Sequence, residues 1–122
     1  MPRSMSFILT TEQIRNRKKT VTRRLGWKNL KPGELFWAVE KAQGLKKGEK
    51  VKRIGLLRCI RNSETVLYGR TLTKADCARE GFPEMTPVQF VRMFQRSMGC
   101  LPDAMVQRIE FEYVDDSEAT NG

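Results

Sequence analysis

The order of strand-like and helix-like segments constrains the fold of this chain most. Short apolar or β-branched runs predict strands in the first half, two helix patterns follow, and an alternating run predicts a last strand. No strand–helix–strand alternation repeats along the chain. The order therefore predicts an α+β domain with a curled or barrel-like sheet of about five strands and three short helices.

Six segments of the sequence have the composition of strands. They are residues 7–9, 20–22, 35–39, 51–60, 65–68 and 109–113. Gly55 interrupts the fourth segment and is a candidate bulge where the sheet bends. In the last segment, Ile109, Phe111 and Tyr113 alternate with two glutamates, which predicts one buried face and one solvated face.

The first predicted helix begins after Thr10, which is expected to cap it, with Gln13 at the third helical position. Leu9 and Ile14 are placed to form a hydrophobic staple across that boundary. The helix is expected to end near Lys18 or Lys19, because cations suit the negative end of a helix dipole.

Two further helices are predicted one after the other. One begins at Thr73 and stops at Gly81. The other has a threonine cap at Thr86, proline at its first position and a capping-box glutamine, and it stops at Gly99. Its apolar stripe is interpreted as core rather than as a cofactor site. The stripe consists of Phe90, Val91, Phe94 and Met98.

The composition excludes several classes of protein. The 122 residues fit one domain, predicted at residues 1–114, with a frayed acidic tail at 115–122. The apolar runs are too short for a membrane span or a signal peptide, so a cytoplasmic protein is expected. Three widely spaced cysteines predict neither disulfides nor a zinc site. Histidine is absent, which excludes His-dependent catalysis and His-ligated metals, and we expect no metal and no cofactor.

The charge is strongly positive and unevenly distributed. The formal net charge is +9, and eight lysines and arginines lie between Gln13 and Gly33 with no acid among them. A second basic segment runs from Lys41 to Arg53, whereas the C-terminal residues are acidic. This distribution favours an anionic partner such as RNA. The alternative interpretation is that these runs are ordinary solvated faces.

The segment Lys19-Thr20-Val21-Thr22-Arg23-Arg24 is the best candidate for chemistry. Neighbouring cations and partial burial both lower a lysine pKa, which increases the neutral fraction able to act as a base toward a threonine. Lys19 and Thr22 share a side only if the backbone turns between them. The alternative is a helix-end cation followed by an ordinary β-branched strand residue.

This segment also carries a resemblance to a known family. The run Lys18-Lys19-Thr20-Val21-Thr22-Arg23-Arg24, then Gly26-Trp27, Lys31-Pro32-Gly33-Glu34 and Ala78-Arg79-Glu80-Gly81-Phe82, resembles the ASCH domain over roughly residues 6–113. The resemblance implies a PUA-like curled β-barrel with flanking helices and a charged cleft near the first helix. The family is linked to RNA binding, and some members are enzymes.

The small amidohydrolases of this family, which deacetylate N(4)-acetylcytidine, use a Lys-Thr-Glu set. The resemblance places that set at Lys19, Thr22 and Glu80. It implies that Thr22 attacks the acetyl carbonyl, Lys19 takes the proton or stabilises the developing charge, and Glu80 orients or relays protons. For Glu80 the alternative is a surface helix residue paired with a nearby cation. The Tyr-Lys-Ser set of ribonuclease members has no convincing counterpart here.

Further residues are predicted to bind the ligand or RNA. They are Arg15, Arg23, Arg24, Trp27, Lys28, Lys41, Lys46 and Lys47. Arg23 stands where the amidohydrolases tend to carry an apolar residue, and the basic loop from Lys41 to Lys50 is longer than theirs, so a larger anionic ligand is favoured over a free nucleoside. Trp27 is the better of two tryptophans for stacking on a base. The functions left open are an amidohydrolase, a non-catalytic RNA-binding module, a ribonuclease acting on single-stranded RNA and an accessory domain that binds a protein; the oligomeric state is not predicted.

Overall fold

The computed structural model describes residues 2–41, 45–115 and 117. These residues form five strands and three helices, and the predicted α+β fold is confirmed. In chain order they are β1 (Arg3–Ser6), α1 (Thr11–Arg15), β2 (Val21–Arg24), β3 (Leu35–Val39), β4 (Arg53–Val66), α2 (Lys74–Arg79), α3 (Pro87–Met98) and β5 (Met105–Val114). Most of the predicted acidic tail, like residues 42–44 of the basic loop, lies outside the described residues.

The strands form one mixed sheet that curls into a half-barrel. Their order is β1-β3-β4-β5-β2, in which β1 and β3 are parallel and the other pairs are antiparallel. The pairing of β4 with β5 is interrupted between Cys59 and Arg61, and that of β3 with β4 between Ala38 and Val39, where Gly55 faces Ala38. Irregularities of this kind bend a strand and increase its twist, so the predicted bend near Gly55 is present.

Several predicted strands have different bounds in the structure. The first strand is β1, and residues 7–9 lie after it: Ile8 and Leu9 form an exposed turn. Pairing with β3 decided this boundary, because backbone hydrogen bonds do not require apolar side chains. The segments predicted at 51–60 and 65–68 are largely one strand, β4, whose polar middle residues stay in the ladder to β5.

The first helix is shorter than predicted. It ends at Arg15, because Arg17 has a positive φ of 56° that reverses the chain. Thr10 occupies the cap position, but its side chain makes no capping hydrogen bond. The predicted staple is wrong, since Leu9 is 56% exposed while Ile14 is buried.

The second and third helices match the sequence pattern closely. The Thr73 side chain accepts a hydrogen bond at the start of α2, and Thr86 with Gln89 forms a complete capping box at the start of α3. Gly99 ends α3 in the left-handed conformation. No helix among the described residues is long and apolar enough to cross a membrane.

The buried side chains lie in two main groups. One group fills the concave side of the sheet under α1, and the other packs α2 and α3 against the far ends of β4 and β5. As predicted, Phe90, Val91 and Phe94 are buried in the second group, but Met98 is 43% exposed. The candidate site lies between the segment before α1 (residues 6–10), β2 and these helices.

Candidate functional site

The turn after α1 directs Lys19 inward. The Lys19 amide donates to the Gln13 carbonyl at 3.3 Å, and the Tyr113 hydroxyl on β5 donates to the Lys19 carbonyl at 2.6 Å. These bonds fix the backbone immediately before β2. The backbone turn that the sequence required for Lys19 and Thr22 to share a site is therefore present, and both residues are buried.

Glu80 comes to the same place from the end of α2. The Thr20 amide donates to the Arg79 carbonyl at 2.8 Å, which ties the start of β2 to α2. Gly81 has a φ of +101°, and a Cβ there would lie 3.0 Å from Gln13 Cγ. The Gln13 side-chain amide nitrogen, Nε2, donates to the Gly81 carbonyl at 3.1 Å. Glycine thus allows α2 to end directly against α1.

Glu80 joins two cations in the interior. Lys19 Nζ lies 3.0 Å from Glu80 Oε1 and donates to the Glu80 carbonyl oxygen at 2.6 Å. Arg23 Nη1 donates to Glu80 Oε2 at 3.0 Å. All three residues are at most 3% exposed. Glu80 is therefore a buried ion-pair partner and not a surface helix residue.

Asp76, one helical turn before Glu80, holds two arginines together. Arg23 and Arg108 are directly opposite in the pairing of β2 with β5, an arrangement that repels. Asp76 Oδ2 accepts from Arg23 Nη2 at 2.6 Å, and its Oδ1 accepts from Arg108 Nη2 at 2.6 Å. Arg108 also donates to Glu110. One buried carboxylate therefore neutralises a like-charge pair in the sheet.

Burial and charge oppose each other in this network. Burial lowers the pKa of Lys19, the nearby Glu80 carboxylate raises it, and Arg24 and Arg23 lower it further; the net shift is downward. For Asp76, burial raises the pKa, but hydrogen bonds and charge from Arg108 and Arg23 outweigh it, so the net shift is also downward. Lys19 is consequently easier to deprotonate than an exposed lysine.

Thr22 and Arg24 lie on the same side of β2. Arg24 Nε donates to Thr22 Oγ1 at 3.0 Å, and the Arg24 guanidinium carbon lies 4.6 Å from the centre of the Phe7 ring. Burial lowers the pKa of Arg24 to about 10, and Glu80 partly offsets this. Because the Thr22 hydroxyl oxygen accepts from a cation, its own proton is available to a base.

These residues line one cavity of about 160 Å³. One wall is polar and contains Lys19, Thr22, Arg23, Arg24 and Glu80. Much of the remaining lining is apolar, with aromatic and methionine side chains from α3 and the loop before it. Those residues are Phe82, Phe90, Met93, Phe94 and Met98. The volume is below the roughly 300–1,000 Å³ of pockets that enclose drug-sized ligands, so one small planar group fits better than a whole nucleotide.

The structure brings together the predicted Lys-Thr-Glu set and separates it from most predicted surface contacts. Arg23 and Arg24 line the cavity with that set. The predicted binding residues Arg15, Trp27, Lys28, Lys41, Lys46 and Lys47 are not among its lining residues. This is a finding about position, and the catalytic and binding roles stay predictions.

Several of those outer residues already have protein partners. Arg15 pairs with Glu12 and Glu40. Lys28 lies 3.7 Å from Glu64, and Lys41 lies 3.8 Å from Glu49. The run of cations without an acid in the sequence therefore meets acids from elsewhere in space. Lys46 and Lys47 are exposed.

Trp27 is less open than the sequence suggested. Its ring packs on the core beside Phe36, and the Arg3 guanidinium carbon lies 4.5 Å from its centre. A base that stacked on that face would have to displace the arginine.

Sequence reasoning missed Asp76, Arg108 and the cavity-facing side of α3. The sequence pattern assigns Asp76 only to the start of a helix. The available signal was spacing: Asp76 and Glu80 are four residues apart, as are Lys19 and Arg23. Acids at that spacing share a helix face, but the spacing alone does not indicate that the face is buried.

Comparison with known proteins gives a relationship of fold. No family model matches the chain, and no curated protein matches it. Among solved structures, it is similar to the crystal structure of protein EF3133 from Enterococcus faecalis V583, described under the family model DUF984. The TM-score is 0.63 and the identity 14%, over 94% of this chain and 81% of that chain. At this identity the likeness supports the fold alone.

Fold and site together define a class. The chain is an α+β protein with a curled half-barrel sheet and a small cavity, one wall of which is a buried network of ion pairs.

Proposed function

We propose that this chain is an ASCH-type, PUA-like domain that binds a nucleoside or an exposed nucleotide of RNA and hydrolyses the amide of N(4)-acetylcytidine. The observation that carries the proposal is the meeting of Lys19, Thr22 and Glu80 at one small cavity. A buried lysine and a threonine hydroxyl that line one cavity are a candidate base and nucleophile. The apolar part of the same lining suits a planar base.

The proposed reaction proceeds in two steps. Thr22 Oγ attacks the acetyl carbonyl carbon, Lys19 takes the hydroxyl proton, and the C–N4 bond breaks as that proton passes to the departing amino group of cytidine. Water then attacks the threonyl ester, the Oγ–acyl bond breaks, and acetate leaves while Thr22 regains its proton. Glu80 holds Lys19 in place, and its other carboxylate oxygen accepts a hydrogen bond from Arg23.

The competing interpretation of the same contacts is purely structural. Buried ion pairs occur without any catalytic role, and they perturb pKa values there too. A substitution that removes the hydroxyl but keeps the shape separates the two, because packing would be preserved.

The test is mass-spectrometric detection of cytidine and acetate from N(4)-acetylcytidine. Thr22→Val should abolish turnover with little change in thermal stability, and Lys19→Met should reduce it by about 10²–10⁴-fold. Thr20→Val is the matched control, because Thr20 is exposed in the same segment and should retain full activity. Absence of turnover by the unmodified protein at high concentration would contradict the enzymatic proposal for this substrate.

A non-catalytic RNA-binding module is the second candidate, favoured by the net charge of +9 and by exposed cations such as Lys18, Lys46 and Lys47. For single strands, the logarithm of the binding constant should fall with the logarithm of salt concentration by about 0.7 per neutralised phosphate. A salt series with labelled RNA measures that slope. Salt-independent binding would contradict this candidate.

A further inference from the structure

Arg24 differs from Arg23 and Arg108 in forming no ion pair among the described residues. Arg23 contacts Glu80 and Asp76, and Arg108 contacts Asp76 and Glu110. Among the described residues, no carboxylate lies within ion-pair distance of Arg24; its one side-chain hydrogen bond there goes from Nε to Thr22. A half-buried cation of this kind has unused capacity to bind a negatively charged oxygen.

The Arg24 guanidinium is held in a fixed orientation. Its Nε–H is donated to Thr22, and its guanidinium carbon lies over the Phe7 ring, 4.6 Å from the ring centre. Arginine carries five N–H donors, so four remain on the two terminal nitrogens. Within the described part of the chain, the one buried side-chain atom without a partner is Arg23 Nε. The terminal nitrogens of Arg24, which have no hydrogen-bond partner among the described residues, are therefore not fully buried, and Arg24 lines the cavity.

The short distance between Arg24 and Thr22 determines which substrate atom the terminal nitrogens of Arg24 can bind. Arg24 Nε lies 3.0 Å from Thr22 Oγ1. When an acyl carbon bonds to that hydroxyl oxygen, the acyl oxygen is only two bonds away from it. It then falls within hydrogen-bond reach of the guanidinium fork. Donors fixed beforehand at the place where charge develops give the largest effect on a transition state.

We infer that Arg24 is a further catalytic residue of the proposed reaction, and that its guanidinium binds the acyl oxygen as this becomes an oxyanion. The inference rests on the proposed function. When Thr22 Oγ bonds to the acyl carbon, the C=O electron pair moves onto oxygen beside Arg24. It returns when the C–N4 bond breaks and the amino group leaves with the proton from Lys19.

This assignment gives Lys19 and Arg24 different chemical roles. Lys19 already donates twice to Glu80, and burial favours its neutral form, which suits a base. Arg24 remains charged at neutral pH and has no proton to accept, so it suits the oxyanion. The alternative role for Arg24 is a contact to an RNA phosphate, which would affect substrate binding rather than the chemical step.

The experiment is steady-state kinetics of Arg24→Met and Arg24→Lys on N(4)-acetylcytidine and on its 5′-monophosphate. We expect Arg24→Met to lower kcat by about 10²–10³-fold on both substrates, with KM changed less than about threefold. Arg24→Lys should retain an intermediate kcat, because lysine keeps the charge but loses the fork. Added guanidinium ion should restore part of the kcat of Arg24→Met.

The matched control is Arg92→Met, an exposed arginine on α3 that is not among the cavity-lining residues, and it should leave both constants unchanged. If Arg24→Met proves poorly folded by circular dichroism, the kcat of Arg24→Lys decides the matter. An unchanged kcat with a raised KM, or a loss confined to the 5′-monophosphate, would overturn the oxyanion role and leave the amidohydrolase intact. If the unmodified protein has no turnover, both are overturned.

Discussion

Two sets of cations from the same basic run experience opposite environments. Lys18 and Lys19 are adjacent in the sequence, yet Lys18 is exposed and Lys19 is 3% exposed. Lys19 meets Glu80 in the interior, 61 residues along the chain. Lys28, on the surface, lies 3.7 Å from Glu64 with side chains 72% and 49% exposed.

The comparison shows that charge counted along the sequence does not measure electrostatic energy. An exposed ion pair contributes about 0–1 kcal/mol. Removing one partner of a buried pair costs about 3–5 kcal/mol, because it leaves an uncompensated charge in a poorly polarisable interior. Stability should therefore depend on the few cavity charges, and binding of an anion on the many surface charges.

The largest effect on stability is expected for Glu80→Gln. This change leaves Lys19 and Arg23 facing each other without their shared carboxylate, so the free energy of unfolding should fall by about 3–5 kcal/mol in urea titrations at pH 7. Glu84→Gln, in an exposed turn, should change it by less than about 0.5 kcal/mol. Equal effects of the two substitutions would remove the distinction between cavity and surface.

Arg23→Met should have an intermediate, pH-dependent effect. Asp76 would still pair with Arg108, and Glu80 would still pair with Lys19. The free energy of unfolding at pH 7 should therefore fall by about 2 kcal/mol. The pKa of Asp76 is lowered from 3.8, so its contribution is present above pH 3.8 and is lost as pH falls through the folded-state value.

In the Arg23→Met variant the pKa of Asp76 is lowered less, because one of the two arginines that stabilise its charged form is absent. The difference in unfolding free energy between the two proteins should therefore narrow below pH 3.8. Urea titrations at several acidic pH values measure this, with the exposed Arg61→Met as control. A difference that stays constant with pH would mean that Arg23 acts through packing alone.

Tyr113→Phe should cost about 1 kcal/mol at neutral pH, because it removes the hydrogen bond to the Lys19 carbonyl. Burial raises the pKa of Tyr113 from 10.0 to about 12. A raised folded-state pKa means that this stability is present below pH 10 and is lost as pH rises toward 12. Thermal unfolding at pH 7 and above pH 10 should show that the native protein loses stability at alkaline pH and that Tyr113→Phe loses less. The control Tyr68→Phe, at an exposed position, should lose as much stability as the native protein.

The smallest effect on stability is expected for the double substitution Lys46→Gln and Lys47→Gln, at most about 0.5 kcal/mol. If the RNA-binding proposal holds, the same change should reduce the salt slope of binding by about 0.7 for each phosphate that the loop no longer neutralises. Arg92→Gln with Arg96→Gln removes the same charge from the exposed side of α3 and serves as control. Equal weakening by both pairs would indicate attraction by net charge rather than by the loop.

The sequence predicted elements whose signals are local. The start of α3 was predictable because Thr86 and Gln89 satisfy helix-terminal hydrogen bonds within one turn, and Pro87 has no N–H that needs a partner there. The bounds of β1 and β4 were not, because a ladder to a distant strand decides them, and residues with weak strand preference join when the partner is in register.

Only part of the site was predicted, because the rest depends on pairing between distant strands. The resemblance located Lys19, Thr22 and Glu80, and the structure brings them together. The role of Asp76 could not be deduced from its own neighbours, because it depends on Arg23 and Arg108 facing each other across two strands. Register between β2 and β5 is a tertiary property, and no local pattern specifies it.

The pairing of β2 has a consequence for the assembly of the protein during translation. Among the described strands, β2 is hydrogen-bonded to β5 alone, and β5 is the last strand in the sequence. A nascent chain therefore lacks the backbone partner of Thr22 until residues 105–114 have left the ribosome. The charged part of the cavity lining can form only after β5 has been made, and a transcript cut short within β5 would encode the four earlier strands and three helices without their pocket.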